Sequence, residues 1–212
     1  MGYGQYCGCA RALDVVGDRW TLLIVRELLV RPARFSELRD GLPGIATNLL
    51  SNRLKALQAD GVVERRLADP GVVYGLTTWG EQLREPLMAL AAWSAPLMAR
   101  GPQSDAFRPH WLVVPLEGYL AGRRVGEPTR LGLHVEGVTL GVYADADGVT
   151  VELEATAPFD VELTAAAPQL LALVTGARSL DQVLAAGAVL TGDRSRLEAL
   201  LAAPSKSTEV SR

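Results

Sequence analysis

Cysteine and histidine are nearly missing from this chain of 212 residues, with two of each. Cys7 and Cys9 stand two positions apart with no further partner, so a disulfide framework is excluded. A single C-x-C pair also supplies only half of a structural zinc site. His110 and His134 are each isolated, with no cysteine or carboxylate at metal-ligand spacing. No metal and no cofactor are expected. Long apolar runs are missing too. None reaches the roughly 18 residues that a bilayer span requires. The opening MGYGQYCGCARALD lacks a basic flank followed by an apolar stretch. The expectation is a soluble, cytoplasmic protein with no membrane partner. No G-x-S-x-G, phosphate loop or dinucleotide fingerprint occurs, so an enzyme is not expected.

A strong charge of either sign is absent as well: the net charge is -3, which argues against a generic polyanion binder. The two halves differ, however. Residues 1–100 hold 12 Lys and Arg against 10 Asp and Glu, whereas residues 101–212 hold 9 against 14. That asymmetry suits a nucleic-acid-facing first half and a second half with another task.

What is present is periodicity, and its period changes along the chain. Residues 9–17 can form a short helix ending at Gly17. DRWTLLIVRELLVR predicts a second helix, with Asp18 as its N-cap and Pro32 beyond its end. In RFSELRDGLPG, Ser36 is placed to cap a brief helix over Glu37–Asp40, and Gly41 to Gly44 break it. A longer helix follows from about Ala46 to Asp60, stopped by Gly61. VVERRLADPGVVYGLT predicts a hairpin turning at Asp69-Pro70-Gly71. Thr77 to Arg100 is a helical stretch apolar on more than one side, interrupted by Pro86 and Pro96. A helix so apolar needs cover. Gly101 to Asp105 makes the linker, which sets domains at 1–100 and 106–203 and leaves 204–212 as a flexible tail. Beyond the linker, alternation over Leu131–Val135, Val149–Leu153 and Val161–Leu163 predicts three or four short antiparallel strands. Helices over about 165–175 and 180–186, a strand AVLTG, and a helix over 193–202 capped by Asp193 close the chain. Arg123 and Arg124 form a basic pair that either holds a ligand carboxylate or faces solvent.

The helix over 46–60 has the character of a DNA-reading surface. Leu50, Leu54 and Leu57 share one face as the anchor, while Thr47, Asn48, Ser51, Asn52 and Lys55 cluster opposite. Asn bonds adenine bidentately, short hydroxyls serve base edges or phosphates, and Arg53 and Lys55 neutralise phosphates. No Asp or Glu occurs from Ala46 to Ala59. An ordinary amphipathic helix is the alternative reading, and its neighbours decide. A short helix, a tight turn and then this helix make a helix-turn-helix, and the hairpin carrying Arg65 and Arg66 is placed as a wing. Arg34 and Ser36 of the preceding short helix join the expected DNA contacts.

Three blocks carry a resemblance: CGCARALDVVGDRWTLLIVREL, RFSELRDGLPGIATNLLSNRLKALQADGVVERR and YGLTTWGEQL. From Cys7 to about Arg100 they resemble winged helix-turn-helix regulators of the HxlR type. The resemblance implies a homodimer on an inverted-repeat operator in double-stranded DNA, acting as a repressor. It also implies a dimer contact from helices at the two ends of the domain, which would cover Leu83, Leu87, Leu90, Trp93 and Leu97. Packing of that helix on its own second domain is the alternative. Cys7 matches a position that some members use to sense oxidants, which makes it a candidate redox thiol. An inert cysteine kept for packing is the competing and favoured reading. Residues 106–203 resemble the sterol-carrier-type lipid-binding fold, which implies an apolar small-molecule effector. A filled core that merely extends the dimer is the alternative there. The fold class expected overall is α+β: a winged helix-turn-helix followed by a sheet-and-helix domain. A lipid or small-molecule carrier whose first half no longer reads DNA stays open as a second function.

Overall fold

A computed structural model describes residues 2–98 and 101–202. Arg100 and the 204–212 tail lie outside the described residues. The chain divides at Leu87/Met88 into two compact units, a dozen residues ahead of the linker suggested by composition.

The first unit begins with helices α1 (Gly8–Val16), α2 (Thr21–Val30), α3 (Phe35–Gly41) and α4 (Thr47–Ala59). A hairpin follows, formed by strands β1 (Val63–Leu67) and β2 (Val72–Leu76), and then the short helix α5 (Thr78–Glu81). Its core is built from Ile24 and Leu28 of α2, Leu38 of α3, Leu50, Leu54 and Leu57 of α4, and Val62, Val63 and Leu76. The three α4 leucines are the predicted anchor, and all are buried. The hairpin pairs Arg65 with Tyr74 and Arg66 with Val73. A bridge between Ala33 and Tyr74 fastens β2 to the α2–α3 connection.

Two predicted caps are corrected. Asp18 does not cap α2. The N-cap position is Trp20, in the left-handed region at φ 78°, and the Asp18 carboxylate instead binds Arg53 of α4. An opposite charge across 35 residues outcompetes the local backbone donors, and sequence spacing gives no sign of it. Ser36 lies inside the first turn of α3. Arg34 takes the N-cap position, and its backbone N–H donates to the Glu37 carboxylate at 2.6 Å. At the far end of α3, a side chain on Gly41 would place its Cβ 2.4 Å from Glu27 Oε2, so glycine is what lets α3 close onto buried Glu27.

Thr77 ties the hairpin to α5. Its Oγ1 accepts from the Gly80 N–H at 3.0 Å and donates to the Gly61 carbonyl at 2.7 Å. Thr77→Ala should therefore cost about 1 kcal/mol, the usual worth of such a cap. The check is a lower urea midpoint at unchanged m-value; an unmoved midpoint would show that solvent satisfies these groups equally well.

Helix α6 (Arg84–Met98) runs across the division, with Pro86 in its first turn and Pro96 near its end. The second unit continues with a 3-10 turn over Pro109–Leu112 and helix α7 (Val113–Tyr119). Sequence periodicity does not predict α7, because Pro115, Gly118 and an apolar residue on nearly every side erase the helical period. Strands β3 (Thr129–Val135), β4 (Val138–Ala144), β5 (Val149–Leu153) and β6 (Val161–Thr164) come next. They are followed by α8 (Ala167–Val174), α9 (Leu180–Ala185), strand β7 (Val189–Gly192) and α10 (Arg194–Ala202). The five strands order as β5-β4-β3-β6-β7. The expectation of antiparallel strands is corrected at one pair: β3 and β6 run parallel, Leu131 opposite Val161 and Leu133 opposite Leu163. Alternation sets which face a side chain takes but not which way a strand runs. Leu131, Leu133, Leu140, Val142, Val161 and Leu163 are buried on one face. Their cover comes from α7, which packs on β5, and α10, which packs on β6.

Two isolated polar residues acquire partners in this unit. His134 Nε2 lies 2.7 Å from Glu162 on β6, and its Nδ1 lies 2.9 Å from Thr139 on β4. The parallel register thus brings a carboxylate to a histidine that the sequence leaves alone. Of the basic pair, Arg124 is exposed, whereas Arg123 is half-buried and engaged within the chain. Its Nη1 donates to the carbonyls of Leu200, at 3.0 Å, and Leu201, where the α10 backbone ends with unpaired acceptors. Burial there pushes the guanidinium pKa down.

Candidate nucleic-acid interface

The outer face of α4 is built by the leucines beneath it. Because Leu50, Leu54 and Leu57 fix the rotation of the helix, Thr47, Asn48, Asn52 and Lys55 emerge exposed, with Ser51 half-buried at the edge. The helix has no acidic residue in its first turn. Asn52 and Asn48 stand one turn apart. The Asn48 Oδ1 is turned back to accept from the Leu49 N–H at 2.8 Å.

The turn leading into α4 is set from below. Gly44 adopts φ +90°, and a Cβ built there would touch the Trp20 ring at 3.8 Å. Arg19 lies over that ring, its guanidinium carbon 5.7 Å from the centroid. Asp18, Arg19 and Trp20 thus form a small platform under the helix-turn-helix.

The predicted basic residues separate into two groups. Arg53 is half-buried and held by Asp18, and Arg66 is bound by Glu64 of its own strand. Arg34 is half-buried at the start of α3, and Ser36 is exposed beside it. Lys55 and Arg65 are exposed on α4 and β1. The face therefore offers short polar side chains on a helix, with cations on either flank. That is what reading base edges from a groove while holding phosphates requires.

The apolar residues set aside for a dimer contact lie on or just before α6. Leu83 and Leu87 are half-buried, whereas Leu90, Trp93 and Leu97 are exposed, Trp93 at 77%. No residue of α6 is buried. Cys7 occupies the N-cap position of α1, and both cysteines are free and exposed. Among the described residues no group of three His, Cys, Asp or Glu is placed to hold a metal ion, and no helix is long and apolar enough to cross a membrane.

Residues 15–101 match the family model described as HxlR-like helix-turn-helix. The uncharacterized HTH-type transcriptional regulator YvaP of Bacillus subtilis (strain 168) is 38% identical over 87 residues, covering 40% of this chain and 81% of its own. The uncharacterized HTH-type transcriptional regulator YtfH of Escherichia coli (strain K12) is 36% identical over 94 residues, covering 43% of this chain and 75% of its own. Among solved structures, quinone-bound YodB from B. subtilis is 32% identical, covering 42% of this chain and 96% of that one with a TM-score of 0.38. The family match ends at residue 101, ahead of most of the second unit.

Proposed function

The chain belongs to the HxlR-like helix-turn-helix family, and from that premise we propose that it is a DNA-binding transcriptional repressor that grips an inverted-repeat operator as a homodimer. The observation that carries this reading is the face of α4. Three buried leucines hold it, no carboxylate interrupts it, and Thr47, Asn48, Ser51 and Asn52 lie along it. Arg34, Ser36, Lys55, Arg65 and Arg66 flank it as phosphate contacts. The α6 side chains Leu90, Trp93 and Leu97, with Leu83 and Leu87, supply the contact between two copies. Two reading heads on a two-fold axis then meet two half-sites about one helical turn apart.

The second unit is the effector domain in this reading, and its ligand is a small apolar molecule. Two observations support that. The strand order, with its one parallel pair and helices on one face, suits the sterol-carrier-type fold. A groove of about 510 Å³ is lined by apolar residues including Ala95, Pro96, Met98, Pro168 and Leu171. That groove lies on α8 and the end of α6. Occupancy would bias the distance between the reading heads by as much as the ligand's affinity differs between the two arrangements.

Fluorescence anisotropy with a palindrome from the chain's own promoter, against a scrambled duplex, tests the proposal over a series of salt concentrations. Preference for the palindrome is the expected result, and equal affinity would refute it. Native mass spectrometry of the same preparation reads the dimer and any retained ligand. Retained ligand with no DNA preference would make the chain a carrier instead. Arg53 offers a sharper test. Asp18→Asn releases its guanidinium to a phosphate, so affinity for unrelated DNA should rise and its logarithmic salt slope steepen by about 0.9. An unchanged slope would mean that Arg53 serves only to hold α4 against the platform.

A further inference from the structure

Several arginines of the first unit already face a carboxylate: Arg39 beside Asp40, Arg53 beside Asp18, Arg66 beside Glu64 and Arg84 beside Glu81. Arg19 does not. It is exposed, and among the described residues its guanidinium meets the face of Trp20, with the guanidinium carbon 5.7 Å from the ring centroid, and no carboxylate. A guanidinium is planar and carries five N–H donors, and contact with a ring face leaves those donors for another acceptor. The nearest carboxylate in the chain, that of Asp18, is taken by Arg53.

The base of this side chain is fixed. Arg19 rides on a turn that the Thr21 N–H closes onto the Asp18 carbonyl at 3.1 Å, and Thr21 is buried. Its position relative to α4 follows from Trp20. The ring that Arg19 covers would touch a Cβ on Gly44, three residues before α4 begins at Thr47. Arg19 therefore stands at the N-terminal end of α4. The wing cation Arg65 stands beyond the other end, since β1 begins at Val63 once α4 has stopped at Ala59. Thirteen residues of helix span roughly 20 Å. The major groove is about 12 Å wide, so cations beyond the two ends of such a helix reach the phosphate walls on its two sides.

We propose that Arg19 binds a DNA backbone phosphate at the N-terminal end of α4, across the groove from the phosphate held by the wing, and that Trp20 holds the guanidinium in place for it. The inference rests on the DNA-binding reading and adds a contact from outside the helix-turn-helix. An exposed arginine loses rotamer freedom when it grips a phosphate, and a side chain already laid on a ring loses less. The platform then has two functions. Asp18 restrains one cation of α4, and Trp20 presents another cation beside it. A phosphate contact carries no sequence information, so Arg19 sets affinity and register rather than base preference.

The test uses the full chain and fluorescence anisotropy on the palindrome and the scrambled duplex over a salt series. Arg19→Ala should reduce the logarithmic salt slope by about 0.9 and weaken binding to both duplexes by about 5–10-fold at 0.1 M salt, with preference between them unchanged. Arg19→Lys should restore the slope, because the charge returns. Combining Arg19→Ala with Arg65→Ala should lower the slope by about 1.8, as expected for two separate phosphates. The urea midpoint of Arg19→Ala shows whether the fold is intact. A parental salt slope in Arg19→Ala would overturn the proposal even if affinity fell, since the residue would then only steady Trp20 and the turn. A change in preference without a change in slope would overturn it too. Equal affinity of the parent for both duplexes would refute the inverted-repeat reading and still leave the Arg19 slope to decide this contact. A parent that bound neither duplex would overturn both.

Discussion

If the proposed dimer forms through α6, Trp93→Ser combined with Leu97→Ser is expected to turn it into a monomer and to weaken binding to the proposed operator by about 10²–10⁴-fold, with affinity for a single half-site unchanged. The two side chains are one helical turn apart on α6, exposed at 77% and 58%, and Leu90 and Met98 extend the same apolar character. Such a contiguous apolar surface marks an association site. Full burial of side chains of this size is worth about 1.5–3 kcal/mol each, so the pair supplies a large part of a dimer contact. Neither side chain is part of the buried core, so the change should leave the folded units intact. The loss on the full operator comes from geometry. With two heads joined, the second half-site is bound at high effective concentration, and without the joint each head binds alone. Sedimentation velocity reads the first effect, and anisotropy on full and half operators reads the second. A monomer that still binds the full operator at parental affinity would disprove the dimer mechanism, as would a dimer that persists after both substitutions.

How much of this was legible in the sequence depends on the range of the interaction that sets each feature. The rotation of α4 was legible because leucines at positions 50, 54 and 57 encode it locally. The hairpin was legible because Asp69-Pro70-Gly71 is a turn in itself. The platform under α4 was not. Asp18 reads as a good cap until Arg53, 35 residues away, presents a guanidinium, and an ion pair across that distance leaves no periodic trace. The same applies to His134 and Glu162, which meet only because β6 returns parallel to β3. Arg123 likewise found a use in the unpaired carbonyls at the end of α10. For α7, local signals pointed the wrong way: two helix-breaking residues and no polar face describe a loop, and burial overrides them. The outward side of α4 was readable in composition, since a face without carboxylates is visible in the residues alone. Which of its cations stand ready was not, because Glu64 and Asp18 engage Arg66 and Arg53 by tertiary contact and cross-residue geometry.

That division between ready and engaged groups shapes the second large effect expected. Asn52→Ala should lower the preference for operator over scrambled DNA by about 1–3 kcal/mol while leaving the salt slope unchanged, because a base contact carries sequence information and no counterion release. Asn48→Ala should act in the same direction and more weakly. Its Oδ1 is already satisfied by the Leu49 N–H, and that bond must be given up before both amide atoms can reach an adenine. Lys55→Ala and Arg65→Ala should behave oppositely. Each weakens binding to operator and scrambled duplex alike and reduces the slope by about 0.9. Arg66→Ala should do less than Arg65→Ala, because Glu64 neutralises Arg66 before DNA arrives and its release costs part of the gain. The crossed design separates the two kinds of contact on one helix and its wing. If Asn52→Ala flattened the salt slope, or Lys55→Ala changed preference rather than slope, α4 would be lying along the phosphates instead of entering the groove.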